Sequence, residues 1–179
     1  TSLLNQKLYE YKVEIFAIDG NSNDSTPDII KKISETDDRV HYMLNKKRKT
    51  PFAFNMGIKA ARGYYVAILG AHAIYDEDYL YTCINENKRT NSAGCSGIVI
   101  PDYSDNTMKS KLPLWVLRSK FGVSSSSFRT QKEGYVNSVA YPVFQKKILE
   151  KIGGYNTLLH RNQDNDLNYR LRQKGYKLY

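Results

Sequence analysis

Two largely apolar runs, Val13 to Ile18 and Tyr64 to Leu69, constrain this chain more than anything else in it. Each has the length of a strand and the continuous apolar character of one covered on both faces. Each stops at a turn-forming element, Asp19-Gly20 in the first case and Gly70 in the second. Strands of that kind belong to sheets with helices packed on them, usually parallel ones. The segments between them fit that scheme. The pattern predicts a helix over Thr1 to Tyr11, a strand over Val13 to Ile18, and a helix from Asp28 to Glu35 opened by Pro27. A strand over Val40 to Leu44, a helix over Pro51 to Ala61 and the strand Tyr64 to Leu69 follow. Further on come a helix over Asp78 to Thr90, a strand over Gly94 to Pro101, a strand over Tyr135 to Pro142, and a helix over Val143 to Ile152 closed by Gly153-Gly154. At 179 residues the chain suffices for one domain with a sizeable core. In such folds ligands bind beyond the carboxyl ends of the strands. Asp19-Gly20 and Gly70-Ala71-His72 are therefore expected to face one crevice.

The most informative stretch lies near the end, RNQDNDLNYRLRQKGY from Arg161 to Tyr176. Leu167 and Leu171 are four apart and share one face of a helix expected over Asp164 to Lys174. Arg170, Arg172 and Lys174 suit the negative end of its dipole, and Gly175 ends it. Asp164 and Asp166 stand in its first turn. Acids there often do no more than complement the helix start. A carboxylate held there by main-chain N–H groups would also stay ionised and oriented, as a general base requires.

The formal charge of +9 favours a polyanionic neighbour: nucleic acid, an anionic membrane or a phosphate-bearing substrate. Nucleic acid is not expected as a partner, because neither a recognition helix nor a stacking-aromatic motif accompanies the charge. The densest basic run, Lys46 to Lys49, is either a solvated loop or a phosphate contact. The 15 tyrosines suit half-buried positions and sugar faces alike. Cys83 and Cys95 form no metal-like or disulfide pattern, which points to a reducing, cytoplasmic setting. No apolar run reaches the length of a membrane span. Leu112 to Phe121, with Trp115, Arg118 and Lys120, suits a lid over the cleft or a peripheral contact with the inner face of the plasma membrane.

Three landmarks together carry a family resemblance. Asp19 to Thr26 reads Asp-x-x-Ser-x-Asp-x-Thr, and Asn55-Met-Gly precedes Ala61-Arg-Gly63 at a helix end. RNQDNDLNYRLRQKG follows FGVSSSSFR. In this order they resemble family 2 glycosyltransferases, closest to the succinoglycan-type exopolysaccharide glucosyltransferases. The resemblance implies a three-layer α/β/α GT-A fold with a mostly parallel central sheet. It also implies an inverting transfer from a UDP-sugar donor to a saccharide or lipid-linked saccharide acceptor, in polysaccharide or surface-glycan synthesis. On this resemblance Asp19, Asn21, Lys49 and Asn55 bind the donor and Asp164 is the catalytic base. Gln163 and Asp166 shape the acceptor side, and Arg170 or Arg172 reaches the diphosphate.

Two departures from the family pattern stand out. Where members usually carry Asp-x-Asp for a divalent cation, this chain has Gly70-Ala71-His72, leaving His72 either as the ligand for Mn²⁺ or Mg²⁺ or as a hydrogen-bonded cleft residue. The sequence also opens at the helix that normally follows the family's first strand, so it reads as a single domain, 1–179, truncated at both ends. The altered element gives an alternative its footing: a sugar-nucleotide-binding module with impaired catalysis.

Overall fold

The structure is a computed structural model and describes residues 2–100 and 133–179. The first strands form as the apolar runs require. β1 (Ile15–Asp19) pairs in parallel with β2 (Val40–Leu44), from Ile15 opposite Val40 to Asp19 opposite Leu44. Their crossover is α1 (Thr26–Thr36), with Pro27 in its first turn. α2 (Thr50–Ala60) also carries a proline, Pro51, in its first turn and packs back on β1. Gly57 permits that approach, since a Cβ there would lie 3.1 Å from Ile18 Cδ1.

The second sheet is antiparallel. β5 (Val143–Gln145) lies between β3 (Tyr65–Ala67) and β4 (Gly94–Cys95) and runs opposite to both. Among the described strands, the β1–β2 pair matches the expected parallel arrangement; the chain re-enters the second sheet with β5 inverted. The C-terminal residues line the outer side of β4, with Tyr179 N–H donating to the Gly94 carbonyl at 3.0 Å. α3 (Tyr79–Thr90), α4 (Lys146–Ile152) and α5 (Gln163–Gln173) complete the described elements. Phe144, Leu149, Leu167, Leu171 and Leu178 are buried in the main core cluster. The Leu167–Leu171 face thus packs inward, as the four-residue spacing requires.

Four expected elements differ. Residues 2–11 contain turns in place of a helix. The buried Gln6 amide explains why: it donates to the Asp76 carbonyl at 2.6 Å and accepts from Leu80 N–H at 3.0 Å, capping α3 from 74 residues away. That task holds the segment against the loop before α3. The stretch 135–142 is not a strand; only Val136 makes a bridge, to Leu178, and Tyr141 adopts φ +53°. The extended segment is instead Val143 to Gln145, expected as a first helical turn. Two flanking strands satisfy its main chain while Val143 and Phe144 fill the core, which outweighs local helical preference. β4 is shorter than expected, and Leu112 to Phe121 and the serine run Ser124 to Ser127 lie outside the described residues.

Gly94 sits directly under the Phe144 ring, inside the distance any Cβ would need. Gly94→Ala is expected to lower stability by about 1–3 kcal/mol, the usual cost of overpacking, measured by urea denaturation.

Candidate active site

The parallel pairing of β1 and β2 brings their carboxyl ends, and the loops beyond them, side by side. Asp19 ends β1 and is largely buried. Its carboxylate accepts from the Ser22 hydroxyl at 2.5 Å and the Ser22 N–H at 3.0 Å. The Ser22 hydroxyl, working against partial burial, holds Asp19 below the usual carboxylate range, with help from main-chain N–H groups and Tyr42. A carboxylate has lone pairs left beyond these bonds, so a ligand donor can still be accepted.

Two residues in left-handed conformations face each other just beyond. Asn21 has φ +65° and Arg48 φ +57°. With the Asn21 amide oxygen turned toward Arg48, it accepts from Nε at 3.2 Å and Nη2 at 2.6 Å. Asn45 braces the same loop, its N–H donating to the Asp19 carbonyl at 2.7 Å and its side chain to the Lys49 carbonyl at 2.9 Å. Lys49, just ahead of α2, places Nζ 3.3 Å from His160 Nε2. That contact joins the nucleotide-side loops expected from sequence to the segment leading into α5.

Asp164 stands in the first turn of α5. Its side chain is exposed to solvent, and the protein around its carboxyl desolvates it in part. Sequence reasoning expected main-chain N–H groups to keep this acid firmly ionised. Instead burial raises its pKa, and the hydrogen bond opposing that rise comes from the Tyr155 phenol.

Other expected site residues are engaged within the fold. Both ends of the Asn55 amide are taken by the Tyr155 main chain, each bond 2.8 Å long. Asn55 therefore acts here as a clamp, in place of the donor contact expected from sequence. Arg170 pairs with Asp166 at 2.8 Å and donates to the Ile152 and Gly154 carbonyls at 2.9 and 2.8 Å. Arg172 bonds Asn137 Oδ1 at 3.2 Å. Both arginines are thus engaged by protein partners. Gln163 is half-buried at the start of α5.

His72 follows β3 and lies against the Tyr141 ring, centroids 6.0 Å apart. Its Nε2 lies 3.0 Å from the Tyr141 hydroxyl. The Tyr75 hydroxyl accepts from the Gly70 N–H at 2.9 Å and donates to the Gly70 carbonyl at 3.1 Å, which fixes the Gly70-Ala71-His72 element. Among the described residues, no hydrogen bond joins His72 to Asp19 or Asp164, and no group of three or more His, Cys, Asp or Glu is placed to hold a metal ion. His72 thus offers a single imidazole. That fits a cation held chiefly by a ligand's phosphates, not one caged by protein.

A cavity of about 750 Å³ lies elsewhere, between α3 and the segments 95–98 and 133–136. Its lining includes none of Asp19, Lys49, His72 or Asp164, so cavity size does not mark this site. Tyr155, Tyr141, Tyr75 and His160 escaped sequence reasoning. The only signal was Tyr155 directly after Gly153-Gly154, which read as a helix stop.

The sequence profile of Glycosyl transferase family 2 matches residues 1–153. The chain belongs to that family. The match stops short of Asp164, but relatives align across almost the whole chain. One is a Methanococcus voltae protein, 33% identical over 98% of this chain and 56% of its own length. It is named dolichyl N-acetyl-alpha-D-glucosaminyl phosphate 3-beta-D-2,3-diacetamido-2,3-dideoxy-beta-D-glucuronosyltransferase. Another is the succinoglycan biosynthesis protein ExoA of Rhizobium meliloti, 25% identical over 98% of this chain and 54% of its own length. The chain spans about half the length of these relatives. Among solved structures, a mannosyltransferase from Pyrobaculum calidifontis, in complex with GDP-Man and Mn²⁺, superposes with a TM-score of 0.68. It is 19% identical, with 99% of this chain and 48% of that one covered, and the likeness establishes the GT-A fold. Among the described residues, no helix is long and apolar enough to cross a membrane.

Because Asp164 has a raised pKa in the folded state, its contribution to stability is complete at low pH and lost as pH rises through that pKa. Asp164→Asn is therefore expected to raise the melting temperature at pH 7. The gain should vanish below the ordinary carboxylate range, as followed by calorimetry at several pH values. Asn55→Ala leaves the Tyr155 N–H and carbonyl without partners and is expected to cost about 2 kcal/mol or more in urea denaturation.

Proposed function

We propose that this chain is the catalytic domain of an inverting glycosyltransferase that uses a UDP-sugar in polysaccharide or cell-surface glycan synthesis. The acceptor is a saccharide or lipid-linked saccharide hydroxyl. Asp164 takes the proton from that hydroxyl. The oxygen then bonds to the anomeric carbon from the face opposite the diphosphate, whose bond to the sugar breaks as the configuration inverts. Catalysis of this kind rests on positioning, base assistance and stabilisation of the leaving charge.

The observation that carries this reading is the Lys49–His160 contact. It sets the loop after β2, with its four consecutive cations, beside the segment that leads into α5 and Asp164. Asp19, kept ionised by Ser22, suits the nucleoside end of the donor, with Asn21 beside it. Gln163 and Asp166 share the first turn with Asp164 and so border the acceptor. Lys46 to Lys49 suit the diphosphate, a task for which Arg170 and Arg172 would first have to leave their present partners. A divalent cation would be held by His72 and the diphosphate oxygens and would neutralise charge on the leaving group. Imidazole favours Mn²⁺ over Mg²⁺ in that role.

Asp164→Asn in the intact protein is expected to abolish sugar transfer while leaving UDP binding within about twofold; near-normal turnover would remove Asp164 from the chemistry. Calorimetry with UDP is expected to show tighter binding when Mn²⁺ is added, an increment lost in His72→Ala. UDP binding without transfer or donor hydrolysis would favour the non-catalytic binding module instead, the reading that Gly70-Ala71-His72 supports.

A further inference from the structure

We propose that Tyr141 is a positioning residue for His72: its hydroxyl occupies Nε2, so that Nδ1 is the nitrogen the histidine offers to a cation carried by the donor's diphosphate. The inference rests on the reading of His72 as a cation ligand and deepens it.

His72 is exposed on the loop after β3, and the Tyr141 hydroxyl lies 3.0 Å from its Nε2. That hydroxyl belongs to a residue held from several sides. Tyr141 adopts φ +53°, a left-handed conformation that a bulky side chain keeps only where its neighbours maintain it. The Tyr79 hydroxyl donates to the Tyr141 carbonyl at 2.7 Å. The next carbonyl, that of Pro142, accepts from Ile68 N–H at 2.9 Å and ties the segment to the residue just beyond β3. The Tyr75 ring meets the Tyr141 ring edge-on, centroids 5.9 Å apart. Tyr75 is itself buried and bonded to both the N–H and the carbonyl of Gly70. One buried tyrosine thus fixes both the loop that carries His72 and the ring that meets it.

A ring nitrogen engaged by a hydroxyl is closed to a cation, which leaves Nδ1. The space beside Nδ1 is clear because residue 70 is glycine. A Cβ there would stand 3.4 Å from Nδ1 and 3.1 Å from both His72 Cε1 and Tyr141 Cε1. The acid that family members usually carry at this point would crowd both rings, so Gly70 and the His72–Tyr141 pair belong together. The Tyr141 hydroxyl has lone pairs with which to accept from Nε2–H, and that tautomer leaves the Nδ1 lone pair free. Imidazoles that hold metals ordinarily donate their second N–H in this way, and the partner sets the ring's orientation. Among the described residues no group of three or more His, Cys, Asp or Glu could hold a cation. The direction of this one ring therefore decides whether the protein meets a nucleotide-bound cation through His72.

The test is Tyr141→Phe in the intact protein, which keeps the ring, its contact with Tyr75 and the bond from Tyr79 to the main chain. Calorimetry is run with UDP, with and without Mn²⁺. Affinity for UDP alone is expected to be unchanged, and the tightening produced by Mn²⁺ to fall about three- to tenfold, toward the low end for a residue supporting a metal ligand. In a His72→Ala background the same substitution should change nothing further, because the side chain it positions is gone. Weaker binding of UDP alone, or a further loss in His72→Ala, marks a merely structural tyrosine and overturns the proposal. Pulsed electron paramagnetic resonance of Mn²⁺ bound with UDP identifies the nitrogen. In protein whose histidines carry nitrogen-15 at Nδ1, a direct nitrogen-15 coupling is expected that disappears in His72→Ala. Direct coupling to the unlabelled Nε2 instead would sink the assignment. If the wild type shows no Mn²⁺ increment, or the increment survives in His72→Ala, the ligand reading fails and the inference falls with it. If His72→Ala abolishes the increment while Tyr141→Phe leaves it intact, only the inference fails.

Discussion

The paired hydrogen bonds between the Asn55 amide and the Tyr155 main chain join two parts of the chain 100 residues apart. α2 belongs to the parallel half, anchored on β1 through Gly57 and Ile18. Tyr155 belongs to the turn that delivers α5. Without that clamp, the ends of β1 and β2 and the start of α5 would share no buried polar link among the described residues. Arg170 tightens the same turn from the other side through the Ile152 and Gly154 carbonyls. Buried bonds of this kind matter less for their net strength than for the cost of leaving either partner unmet. They specify one arrangement of the two halves.

The two carboxylates at the site show why environment, not residue type, assigns roles. Asp19 is bonded by Ser22 through both hydroxyl and N–H and is held in its charged form. Asp164 is desolvated, with one phenolic donor opposing the rise in its pKa. A firmly ionised acid suits hydrogen bonding to a ligand. An acid whose pKa is drawn upward is closer to exchanging a proton near neutral pH. Backbone conformation follows the same map. Of the six described non-glycine residues with positive φ, Asn21 and Arg48 sit beyond the paired strands, Tyr141 contacts His72 and Asn162 opens α5, while Tyr9 and Asn91 lie elsewhere. Strained residues persist where the surrounding structure holds them, and four of the six lie in these loops.

Much of this was legible beforehand. The apolar runs, their Asp and Gly stops and the proline-opened crossovers depend on contacts within a few residues, so they can be read locally. The Leu167–Leu171 face and the Gly175 stop are of the same kind; Gly175 adopts φ +79° at the end of α5. Three readings failed where distant partners decide. Residues 2–11 carry a helical pattern, yet Gln6 is taken by the loop before α3. Val143 and Phe144 read as a helix start until two strands close on either side. Asn55 reads as a ligand contact until the glycine turn at Gly153-Gly154 brings Tyr155 against it.

The order of elements, the acid ahead of a short amphipathic helix and the missing acidic pair after the third strand were all determined by the sequence alone, because spacing and local chemistry encode them. Tertiary structure alone decided the inverted strand at the centre of the second sheet, the engagement of Arg170 and Arg172, and the upward shift of the Asp164 pKa. Each of these depends on which atoms surround a group once the chain has closed. Solvent exclusion and pairing across a hundred residues leave no trace in any short window of sequence.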